Sequence, residues 1–162
     1  MKKLFVALMM TCTFGLQASA QEIYTEIKKM AQEVVEKPDI DPFTRQMNTF
    51  KIAALNYMGM KMRELMPDST AEFLDKEALA LYHFINTYTQ TLVSLRDQPA
   101  AYQTQVIGLF MDASYSNPLF NDPEKDYVLQ YFMNGDCLTR FSLDTDWVRA
   151  LLAVETEMKK RE

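Results

Sequence analysis

All six prolines of this chain, Pro38, Pro42, Pro67, Pro99, Pro118 and Pro123, fall between helically periodic stretches or at their first turns. Proline lacks an amide donor and its ring clashes with the preceding turn, so a chain punctuated this way folds as rods separated at those marks. Beyond position 20 only Gly59, Gly108 and Gly135 are glycine, and there are no alternating strand runs or Asn-Gly turns between β-branched blocks. The expected fold class is therefore all-α: a single-domain antiparallel helical bundle of five to six helices.

The spacing predicts helices over 21–37, 42–66, 70–96, 99–114, 123–133 and 145–160. In the first, Ile23, Ile27, Met30 and Val34 form one apolar stripe, and Glu33 and Lys37 are placed as a pair one turn apart. Asp41 and Pro42 open the second, a Ser69–Glu72 capping box the third, and Pro99 at its first position the fourth. Asp122 and Asp144 are expected as caps of the fifth and sixth, with Asp146 in the first turn of the sixth. No motif of about 34 residues recurs, which favours one bundle over a stack of helical repeats.

The first twenty residues have a different character. Lys2 and Lys3 precede the apolar run Leu4 to Met10, and Ala18-Ser19-Ala20 follows. That order is the pattern of a secretory signal peptide cleaved before Gln21, so residues 1–20 are expected to leave and 21–162 to form the bundle in the periplasm or outside the cell. Lipidation at Cys12 is disfavoured, because Met9, Met10 and Thr11 are a poor approach to a lipoprotein site. No stretch reaches the length needed to span a bilayer.

The whole chain has 17 basic and 22 acidic residues; without Lys2 and Lys3, 15 basic residues face the same 22. A surface that acidic repels phosphate backbones, which argues against nucleic acid as a partner. With Cys12 gone, Cys137 is alone and has no partner in its own chain for a disulfide.

The segment "NYMGMKM" (56–62) raises the question of a thioether site for Cu(I). In a helix, successive residues turn by about 100°, so Met58 and Met62 share a face with Met47 and Leu65, while Met60 sides with Ala53 and Tyr57. Two apolar faces suit a central helix, and methionine fills irregular gaps between neighbours. Core packing is the reading adopted, with Gly59 allowing another helix to approach closely.

A catalytic set is not legible. The only histidine, His83, falls on the polar arc of its helix with Glu72, Lys76, Thr87, Gln90 and Ser94. There is no phosphate-cradling glycine loop and no Gly-x-Ser-x-Gly elbow. Asp39, Asp41, Asp97, Asp136, Asp144 and Asp146 would gather at one end of an alternating bundle and attract Ca²⁺, but no twelve-residue calcium loop is present. No cofactor and no metal ligand set is assigned.

The candidate binding residues lie on the two longer connections: Tyr115, Asn117, Leu119 and Phe120 in "SYSNPLFND", and Cys137, Arg140 and Phe141 in "NGDCLTRFSLD". Because the fifth helix separates them, these connections are expected at opposite ends of the bundle. The expectation is an exported, non-enzymatic protein that binds a protein partner or a small molecule. The alternatives are an envelope hydrolase using paired carboxylates on cell-wall or glycan substrates, and a periplasmic protein binding copper or calcium.

Overall fold

The computed structural model describes residues 22–68, 71–124 and 140–161. Among these the fold is all-helical, with five helices and no strand: α1 (Glu22–Val35), α2 (Pro42–Leu65), α3 (Ala71–Ser94), α4 (Ala100–Ser116) and α5 (Trp147–Lys159). The helix expected over 123–133 and the proposed capping serine, Ser69, lie outside the described residues apart from Pro123 and Glu124, which form a turn. No helix among the described residues is long and apolar enough to cross a membrane.

Local chemistry sets the boundaries. The Asp41 side chain accepts from the Thr44 amide at 2.9 Å with Pro42 directly after it, so α2 begins as its sequence specifies. Arg45 then reaches back from α2, donating to the carbonyls of Val35 and of Lys37 (2.9 Å for the latter), and so ties off the exposed carbonyls at the end of α1. Pro99 stands one position earlier than expected, as the N-cap of α4.

Several face assignments need correction. On α1 the buried residues are Ile27 and Ala31, whereas Ile23 is 42% and Met30 39% exposed. Half-buried Tyr24 takes the place of Ile23, since a helix packed onto two neighbours turns the 24/27/31 arc inward. Glu33 pairs with Lys29 at 3.9 Å, and Lys37 lies past the end of α1. On α2, Met47, Met58 and Met62 are core residues as expected, but Leu65 projects past its neighbours in the last turn and is 52% exposed. Met60 is 49% exposed, because the covered face ends at Tyr57. Gly59 does admit a close neighbour: a Cβ there would stand 2.8 Å from the Tyr24 hydroxyl, which donates to the Leu55 carbonyl at 2.9 Å.

The core is built on edge-to-face aromatics. Phe84 of α3 lies 5.5 Å from Phe110 of α4, 5.2 Å from Phe141 and 5.3 Å from Trp147 of α5, centroid to centroid. Phe141 also meets Phe50 of α2 at 5.6 Å and Tyr88 at 5.0 Å. Phe141 enters this cluster from irregular chain, and so the segment before α5 has to be fastened in place.

Asp144 provides the fastening. It is fully buried and does not cap α5; its carboxylate accepts from the amides of Leu119 (3.0 Å), Phe120 (2.8 Å) and Asp122 (2.9 Å). Asn121, in the left-handed region at φ 52°, lets the backbone curl around that carboxylate. The cap is Asp146, accepting from the Arg149 amide at 2.8 Å. Ser114 and Thr145 hydroxyls meet at 2.9 Å, the Ser142 amide donates to the Ser114 hydroxyl at 2.9 Å, and the Asp146 amide donates to the Asn117 carbonyl at 2.7 Å. The two connections expected at opposite ends are thus bonded to each other. Of the six aspartates expected at one end, Asp136 lies outside the described residues and Asp144 is spent on these amides; among the described residues no metal-holding group of three or more His, Cys, Asp or Glu occurs.

Replacing Asp144 with Ala leaves three amides, two part-buried and one buried, without their acceptor. We expect a loss on the order of 3–5 kcal/mol in urea unfolding, with Asp144→Asn retaining part of the stability through its remaining oxygen. An Ala variant within 1 kcal/mol of the parent, measured about as precisely, is the result that counts against this role for the carboxylate.

Candidate functional site

The residues singled out on the connections are largely engaged in closing the fold. Phe141 is 1% exposed within the aromatic cluster. Leu119 and Phe120 are half-buried against the core, and the Phe120 ring lies 6.1 Å from Tyr57, edge-on. Asn117 donates from its side chain to the Ala113 carbonyl at 2.7 Å. Tyr115 is half-buried; burial pushes its hydroxyl up, and the charge of exposed Arg140 partly opposes this. The structure therefore brings Tyr115, Asn117, Leu119, Phe120, Arg140 and Phe141 into one region, while Cys137 lies outside the described residues. His83 is exposed, as its arc implied, beside Tyr82 at 5.6 Å.

Beside that region stands a second buried polar group. Asp122, 7% exposed, accepts from the Tyr57 hydroxyl at 2.6 Å and pairs with Lys61 at 3.0 Å. Burial alone would raise its carboxyl, but the bonds from Tyr57, the Glu124 amide and Lys61 outweigh it and hold the group below its ordinary value. This carboxylate is satisfied and has a structural role.

Two further ionisable side chains lie on apolar helix faces, where periodicity alone could have marked them. Glu77 shares the inward face of α3 with Leu74, Leu81 and Tyr88, and is 2% exposed. Its carboxylate accepts from the Trp147 amide at 2.7 Å, so a residue of α3 satisfies the start of α5. Burial, with the nearby Asp146 charge adding to it, pushes the Glu77 carboxyl up to about 7 despite the amides that favour its charge.

Lys51 is the sharper case. It occupies the middle of the Met47–Ala54–Met58–Met62 face of α2 and is 7% exposed. Its ammonium lies 5.0 Å from the Tyr82 ring centre and 3.5 Å from the Asn86 amide oxygen, a weak bond. Among the described residues no carboxylate approaches it within the 4.0 Å of an ion pair. Burial alone lowers it from its ordinary value to about 8.

Lys51 stands at a cleft of about 230 Å³ between α2 and α3. From α2 the walls are Phe43, Thr44, Met47 and Asn48, at the one-turn spacing that keeps them on Lys51's side; from α3 they are Ile85, Asn86, Thr89 and Gln90, one face again. The Asn48 amide is partly engaged by the Thr44 carbonyl at 2.8 Å and the Thr89 hydroxyl by Ile85 at 2.8 Å, whereas the Asn86 amide nitrogen has no partner among the described residues. Among the described residues the cleft thus combines an apolar wall, three amide side chains and one cation, with no acidic lining residue. Three apolar side chains, Phe43, Met47 and Ile85, line this half-open cleft together with six polar or charged ones.

Comparison with known protein families, curated proteins and solved structures found no match to this chain.

Glu77 and Lys51 give opposite pH signatures. Glu77 binds its proton more tightly in the folded chain, so stability is full below about 4.5 and falls as pH rises toward about 7. Glu77→Gln keeps an acceptor for the Trp147 amide and should abolish this fall, worth on the order of 3 kcal/mol between pH 4.5 and 8. Lys51 binds its proton less tightly when folded, so its cost is present below about 8 and is relieved as pH rises toward 10.5. Lys51→Met should therefore be more stable than the parent at pH 7, by roughly 1–3 kcal/mol, with the advantage shrinking above pH 8. Denaturant curves at four pH values check both; a Lys51→Met chain less stable than the parent at pH 7 contradicts the account of the lysine.

Proposed function

We propose that this is an exported, non-enzymatic helical-bundle protein whose role is to bind a small molecule in the cleft between α2 and α3. The observation that carries the reading is Lys51: a cation 7% exposed, facing that cleft, with no acidic partner among the described residues. A buried unpaired charge destabilises a fold, and such groups concentrate where a ligand completes them. The packing of α1 to α5 around one aromatic core accords with a single antiparallel bundle. It supplies rigid walls, and ligand sites between bundle helices are a common use of the architecture. The leader pattern ending Ala18-Ser19-Ala20 supports delivery to the cell envelope, with a mature chain beginning at Gln21.

The test uses protein recovered from the envelope of expressing cells, its intact mass first showing whether it begins at Gln21. Saturation-transfer NMR against a low-molecular-weight envelope extract should then reveal bound components. Their signals should vanish for Thr89→Trp, which fills the cleft from a half-buried position. Components that bind Thr89→Trp as well as the parent would place binding elsewhere and overturn the reading.

A further inference from the structure

We infer that the ligand of the α2–α3 cleft is a small monocarboxylate, its carboxylate paired with the Lys51 ammonium and the Asn86 amide and its apolar body laid against Phe43, Met47 and Ile85. This rests on the cleft being the ligand site and adds the chemical class. Among the described residues Lys51 donates only one weak bond, at 3.5 Å to Asn86, so ammonium protons remain for a second acceptor. Asn86 presents its oxygen to the lysine, and its amide nitrogen therefore remains as a donor beside the same ammonium. A carboxylate has two oxygens and accepts from both donors at once, with charge-assisted bonds about twice as strong as neutral ones.

The opposite choices fit poorly. Among the described residues the cleft has a single cation and no arginine, so a phosphate dianion would be left half-neutralised. A ligand cation would meet a like charge. The volume, about 230 Å³, lies below the usual range of drug-sized sites and suits a short aliphatic or single-ring acid. Of the walls, Phe43 and Ile85 are the carbon surface such a body needs, and Met47 adapts to its shape.

The experiment titrates the processed chain with butyrate and benzoate, and with butyramide and benzamide as neutral analogues of the same shape, following amide resonances of α2 and α3 by NMR. Acids should bind at least about tenfold more tightly than amides, the difference expected for one charge-assisted pair. Lys51→Met, which folds at least as well as the parent on the argument above, should lose the acids and keep whatever affinity the amides have. Lys51→Arg should restore part of the acid binding. Amides that bind as well as acids, or acid binding unchanged in Lys51→Met, overturn the assignment of a carboxylate while leaving the cleft a ligand site. Inorganic phosphate competing more strongly than the acids also overturns it. If neither acids nor amides perturb the cleft, the inference fails, and the extract screen with Thr89→Trp decides separately whether the cleft binds anything.

Discussion

Three backbone amides converge on the Asp144 carboxylate, and most of the irregular part of the described structure depends on that meeting. It curls residues 119–122 back toward the helices, which sets Asp122 where Tyr57 and Lys61 of α2 can reach it. It also holds the stretch leading into α5 so that Phe141 enters the aromatic cluster and Trp147 starts a helix against Glu77. A carboxylate can do this where an apolar residue cannot, because turns leave amide groups that need acceptors once water is excluded. On the other side of the segment the Ser114 hydroxyl accepts from the Ser142 amide, while the Ser142 and Thr145 hydroxyls donate to the carbonyls of Asp144 and Ser142.

Glu77 and Lys51 are both ionisable side chains within the apolar interior, yet their surroundings differ in kind. Glu77 is met by the amide end of α5, so its bond is part of how two helices join. Among the described residues Lys51 has only a ring face and a distant amide oxygen. The first is explained by the fold itself. The second adds nothing that a methionine of similar length would not supply more cheaply, and this is why the functional reading centres on it.

Much of the architecture was legible from proline placement and apolar spacing, since helix ends depend on local chemistry: Asp41 with Pro42 marks the start of α2 without any tertiary knowledge. Face assignments were legible where a helix is covered on a broad arc, as for Met47, Met58 and Met62, and failed at edges and ends, as for Met60 and Leu65, where exposure depends on how far a neighbour extends. The choice between Asp144 and Asp146 as cap could not be made locally, because two aspartates two residues apart are equally able and only the amides of residues 119–122 decide between them. Burial of both connections against one another was hidden for the same reason. The cleft was half visible: a lysine in the centre of a methionine-lined face is a departure from amphipathic pattern, but Asn86 and the gap beside it belong to a different helix.

The chain's single tryptophan, Trp147, is wholly enclosed, and its indole nitrogen finds no acceptor among the described residues. An indole shut off from water, with aromatic rings on two sides, emits toward the blue end of its range. Since Trp147 also begins the last helix, its emission colour reports in one signal whether that helix is docked and whether the interior is dry.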